Sequence, residues 1–90
     1  MFTVQIRPNV LSALREVYTP GIEVELVSMT DPYRAMQPGL RGVVDFVDDA
    51  GGIHIQWSNG STLAVLPGID ELRVLSTGKL MSDLLKEMNT

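Results

Sequence analysis

A chain of 90 residues, 44% apolar and 20% charged, suffices for one small domain with a modest core and leaves no room for a second. The absence of cysteine excludes disulfides, thiolate metal sites and cysteine nucleophiles, and a net charge of −4 opposes the counterion release on which nucleic-acid affinity is built. No apolar run approaches the roughly 18 residues that a membrane span needs, and the opening MFTVQIRPN lacks a basic segment followed by an apolar stretch, so a soluble cytoplasmic protein is expected.

Phe2, Val4 and Ile6 alternate with polar neighbours, which predicts a short edge strand ended by Pro8. Asn9 is placed to cap a short helix whose inner face holds Val10, Leu14 and Val17, or Leu11, Leu14 and Tyr18, and Pro20-Gly21 terminates it. Ile22, Val24 and Leu26 then alternate with Glu23 and Glu25, a strand with one apolar and one wet face. Residues 28–39, holding Asp31-Pro32 and Pro38-Gly39, are too irregular for strand or helix and predict a long loop.

A strand resumes over residues 41–48, but Val44 and Val47 are three apart and a flat strand would send them to opposite faces. A bulge or sharp bend between them reconciles the two. Asp48-Asp49-Ala50-Gly51-Gly52 supplies a turn, and Ile53, Ile55 and Trp57 share one face of the next strand while His54 and Gln56 share the other. The following hairpin is predicted to have a three-residue loop, Ser58-Asn59-Gly60, with Gly60 left-handed. That register opposes Ile55 to Leu63 and Ile53 to Val65 and gathers the apolar set on one side, whereas a two-residue loop would mix the faces. Pro67-Gly68 makes a further turn braced by Asp70, Leu72 and Val74 form a brief closing strand, and Leu80, Met81, Leu84, Leu85 and Met88 mark the stripe of a terminal helix. So short a helix needs a partner, either the barrel or another subunit.

These elements predict a mainly β fold: a small SH3-like five-stranded barrel over residues 22–75, preceded by an extension and short helix over 1–21 and followed by an amphipathic helix over 76–90. The long loop at 28–39 sits where such a barrel has its long first loop.

Over residues 18–74 the chain resembles a family of small domain-of-unknown-function proteins carried by bacteriophages and conjugative elements. The motifs are Y-x-P-G-I-x-V-E-L-V-x-M-x-D-P-Y, then P-G-L-R-G-V-V-x-x-V-D-D-x-G-x-I-H-I-x-W-S-N-G-S-x-L, then P-G-I-D. The family usually has an aspartate just after the tryptophan, where this chain has Ser58. The resemblance implies an SH3-like barrel and a mobile-element origin but no activity. Gly39 to Val44 is also similar to the start of KOW-type barrels, which bind ribosomal RNA or transcription complexes.

Trp57 is in phase with Ile53 and Ile55, so core packing outweighs ligand contact. Asp31, Asp48, Asp49 and Asp70 each stand beside a proline or a glycine-bearing turn, where local backbone amides outweigh a metal or acid–base role. His54 is the lone histidine and points away from the core. With no second histidine and no cysteine it cannot build a transition-metal site, and Ser58 and Ser61 are accounted for by the hairpin. No nucleophile elbow, phosphate loop or zinc motif occurs, so no catalysis, cofactor or metal is expected. Tyr33 beside Arg34 in the long loop matches the residue types enriched at binding hot spots.

The expected function is therefore noncatalytic: a small adaptor that binds protein or self-associates. The candidate contact residues are Asp31, Tyr33, Arg34 and Arg41 around the long loop, and Leu84 and Met88 on the terminal helix. The alternative is a KOW-like nucleic-acid module centred on Arg34 and Arg41, disfavoured by the acidic charge.

Overall fold

A computed structural model of the chain describes residues 6–30 and 36–88. The edge strand expected from Phe2 and Val4, and the loop residues Asp31, Tyr33 and Arg34, lie outside that range. Ile6 is described; its Cδ1 comes within 2.5 Å of where a Cβ on Gly51 would stand, so it seats on the 48–52 turn beside Leu14.

Helix α1 spans Pro8–Val17 with Arg7 at its N-cap. Asn9 is thus inside the helix and does not cap it, because Pro8 takes the first helical position, where its fixed φ suits the helix and its missing N–H is not needed. Leu14 and Tyr18 are buried, while Val10, Leu11 and Val17 are partly buried, so the inner face combines both expected stripes. Burial, with Glu71 nearby, holds the Tyr18 hydroxyl well above its ordinary range.

Four antiparallel strands follow: β1 Glu23–Ser28, β2 Arg41–Val47, β3 Ile53–Trp57 and β4 Glu71–Val74, in the sheet order β3-β2-β1-β4. The bulge anticipated in β2 lies between Val44 and Phe46, and it does turn both Val44 and Val47 inward. The hairpin register is also as expected: Ile53 pairs with Val65 through two 2.9 Å bonds, Trp57 N–H reaches Ser61 O at 2.9 Å, and Gly60 has φ +89°.

The expected fifth strand is reduced to that single bridge. Segment 61–63 satisfies its backbone with side chains instead of a ladder: Asn59 Oδ1 accepts from Ser61 N–H at 3.0 Å, Ser61 Oγ from Leu63 N–H at 3.2 Å, and Leu63 O from the Trp57 indole at 2.9 Å. The described architecture is therefore a four-stranded antiparallel sheet with two helices, to which the segment expected as a fifth strand adds the one bridge at Val65.

Helix α2, Met81–Met88, packs against β4 and α1 of its own chain. Met81 and Leu84 join Leu14, Tyr18, Val24, Leu26, Trp57 and Leu72 in one core, which makes both helices part of the domain's interior. No described helix is long and apolar enough to cross a membrane.

Candidate functional site

Two aspartate-pinned turns frame the sheet, one on the buried Asp70 and one on the part-exposed Asp48. Asp70 Oδ2 accepts from Leu66 N–H at 2.9 Å and Oδ1 from Thr30 N–H at 3.3 Å, tying the turn before β4 to the end of β1. Asp48 Oδ1 accepts from Ala50 and Gly52 N–H at 3.0 and 2.8 Å, closing the β2–β3 turn. Gly51 carries φ +88° there, a conformation open to glycine. Asp49 departs from the expected local role: it pairs with Arg15 at 2.8 Å, and the same guanidinium donates to Val47 O, fastening α1 to the end of β2.

Beside this rigid turn lies the outer face of β2 and β3. The bulge that admits Val44 and Val47 to the core ejects Phe46, which faces outward across from His54; one step along, Val43 faces Gln56. Phe46 is 47% exposed and Val43 42%. The Phe46 and His54 rings stack with centroids 4.2 Å apart and planes within 6°. His54 Nε2 lies 2.8 Å from Asp48 Oδ2, so a neutral ring carries its proton on Nε2 and donates it to the carboxylate. That bond, with the two turn amides, holds the Asp48 carboxyl below its ordinary range against a smaller opposing effect of burial.

Two depressions flank β3. One, of about 610 Å³, is lined by Met36, His54 and residues 59–64; the other, of about 270 Å³, by Glu23, Arg41, Gly42, Val43, Gln56 and Ser58. The first opens beside Met36, the residue that follows loop positions 31–35.

Of the sequence-derived candidates, Asp31, Tyr33 and Arg34 lie outside the described residues, and Arg41 stands on β2 while Leu84 and Met88 stand on α2. Arg41 is exposed at the start of β2 on the face just described, with no ion pair among the described residues. Leu84 is only 6% exposed, and Met88 is partly covered on the same helix. Leu84 therefore serves this chain's own core and is unavailable to a second one, because the helix stripe finds β4 and α1 close at hand. Trp57 packs inside at 4% exposure, as its phase predicted. No group of three or more His, Cys, Asp or Glu among the described residues is arranged to hold a metal ion.

Phe46 and Val43 escaped sequence reasoning. The signal was present in Val43-Val44-Asp45-Phe46-Val47, where a bulge that turns two valines inward must leave other apolar residues outside.

The family model for a domain of unknown function, DUF4314, matches residues 7–75, and the chain belongs to that family. No curated protein and no solved structure matches it.

Proposed function

We propose that this DUF4314 protein is a noncatalytic protein-binding module: an SH3-like barrel of mobile-element origin, acting as a small cytoplasmic adaptor through the outer face of β2 and β3. The observation that carries this reading is the exposure of Val43 and Phe46 side by side on a rigid, bulged ribbon with a depression on either side. Exposed apolar groups on a fixed scaffold are what protein recognition uses. Tyr33 and Arg34, which lie outside the described residues, belong to the same proposal on the strength of their residue types. Helix α2 does not, since Met81 and Leu84 are spent on the core.

Barrel closure is supported by the reach of the chain. Val65 bridges to the outer edge of β3, and β4, at the opposite edge, begins at Glu71. Laid flat, four interstrand steps would separate those edges by about 19 Å. The linking residues form a turn in which Asp70 N–H bonds Leu66 O at 2.9 Å; its ends are about 6 Å apart, and two flanking steps extend it to about 14 Å at most. The sheet must curl to let them meet. The mobile-element origin rests on the motifs of residues 18–74, and gene neighbourhood tests it.

A nucleic-acid role has one observation in its favour, Arg41 on this face with no ion pair among the described residues. Against it, Arg15, Arg73 and Lys79 are paired with Asp49, Glu25 and Glu87, and the net charge is −4. Affinity capture from a lysate of the host cells, wild type beside Phe46→Asp, tests the main reading. A partner protein retained by the first and lost by the second is expected, and identical captures would refute it. Anisotropy titrations with labelled DNA and RNA at low salt should stay flat; steeply salt-sensitive binding weakened by Arg41→Ala would install the alternative.

A further inference from the structure

The Phe46–His54 stack is built before any ligand arrives. His54 is oriented by Asp48, and Asp48 is itself fixed by the Ala50 and Gly52 amides. Phe46 leans on that ring at 4.2 Å and remains about half exposed. The result is a flat aromatic surface whose entropy of ordering has already been met by folding. Around it the carboxylates outnumber the cations. Asp45 is exposed at the bulge, Asp48 is part-exposed behind the histidine, and Asp49 is fully exposed and paired with Arg15; the other described cation on this face is Arg41, at the start of β2.

We propose that this platform docks an arginine-bearing basic segment of a partner protein, the guanidinium lying over Phe46 with Asp45 or Asp48 within its reach. The inference rests on the reading of this face as a protein-binding surface and names the chemistry of what it binds. A planar guanidinium stacks on an aromatic face and bonds a carboxylate through its edge at the same time, which an ammonium on a flexible stem cannot do. Charge selects the occupant further. The acidic field attracts a basic segment and repels a phosphate backbone, and a second copy of this chain would bring the same carboxylates to the contact. Val43 gives neighbouring residues of the segment an apolar contact, and the depression next to it offers the Glu23 carboxylate beside the Arg41 guanidinium, so the carboxylates Asp45, Asp48, Asp49 and Glu23 still outnumber the cations Arg15 and Arg41.

The test is a titration of the ¹⁵N-labelled full chain, followed by amide shifts, with a capped Gly-Arg-Gly-Arg-Gly peptide and its lysine and glutamate counterparts. Shifts should concentrate at Val43, Phe46, His54 and Gln56, with the arginine peptide binding more tightly than the lysine peptide and the glutamate peptide causing none. Phe46→Ala should weaken arginine-peptide binding about two- to fivefold. Phe46→Trp should retain it, and Asp83→Asn on α2 should leave it unchanged. Equal binding of the two basic peptides, indifference to Phe46→Ala, or shifts centred on α2 would overturn the proposal. Should the arginine peptide fail while Phe46-dependent capture of a protein persists, the partner chemistry is wrong and the binding face stands; should both fail, both readings fall.

Discussion

Gly42 is where the core tolerates least. It sits in β2 opposite Trp57, facing inward, and a Cβ built on it would stand 2.5 Å from Ile55 Cγ2, 2.9 Å from the Trp57 ring and 3.0 Å from Gln56 O. None of these is the free end of a flexible chain: one is a branched methyl, one an indole bonded to Leu63 O, and one backbone. Gly42→Ala should therefore overpack the core at a cost of about 1–3 kcal/mol, offset by about 0.4–1 kcal/mol from the stiffer unfolded chain. At mid-range the two leave a net loss of about 1.3 kcal/mol, which corresponds to roughly 5–10 °C in Tm for a domain of this size. Trp57 is the sole tryptophan, so urea unfolding followed by its emission reads both effects: an earlier midpoint, and a red-shifted native spectrum if the indole moves to make room. A variant as stable as wild type with unchanged emission would refute the packing of Trp57 over Gly42.

Three further outcomes are expected. Asp48→Asn should lower the urea midpoint at pH 7. Because the folded state holds this carboxyl below its ordinary range, its contribution is complete above that range, begins to decline as pH falls below about 4 and is lost as pH falls through the lower folded value; the gap between variant and wild type should narrow over that acid range, and a pH-independent gap would contradict the stabilisation of the Asp48 carboxylate by His54 and the turn amides. Asp70→Ala leaves the Leu66 and Thr30 amides without their acceptor and should cost about 1–3 kcal/mol, with faster hydrogen exchange at Leu66; Asp70→Asn should cost less. Leu84→Ala should destabilise the fold by about 2–3 kcal/mol through a core cavity, whereas unchanged thermal melting would mean that the helix stripe serves another surface.

Periodicity carried the interior. Val24 and Leu26, Ile53, Ile55 and Trp57, and Leu72 and Val74 alternate in sequence and are buried in the structure, because a strand has only two sides and one of them is dry. Side-chain competition for backbone partners was harder to foresee. Nothing in the period of Leu63 and Val65 says that Ser61 Oγ, Asn59 Oδ1 and the Trp57 indole will claim the polar groups of 61–63 and shorten a strand to one bridge. Pro8 likewise carries two meanings, end of a strand or first residue of a helix, and local sequence does not choose between them.

The outer face was hidden for a related reason. A bulge is inferred from residues that must reach the core, here Val44 and Val47, and attention stays with them. Yet the extra residue that brings two apolar side chains inward shifts the phase of its neighbours, so the same event that buries Val47 exposes Phe46. Opposite it, the strand whose odd positions are buried must turn His54 outward, and the turn aspartate six residues earlier then meets the imidazole. The aromatic platform is thus a geometric consequence of packing the core, and it costs only the exposure of one phenylalanine, a cost that a partner covering the ring would remove.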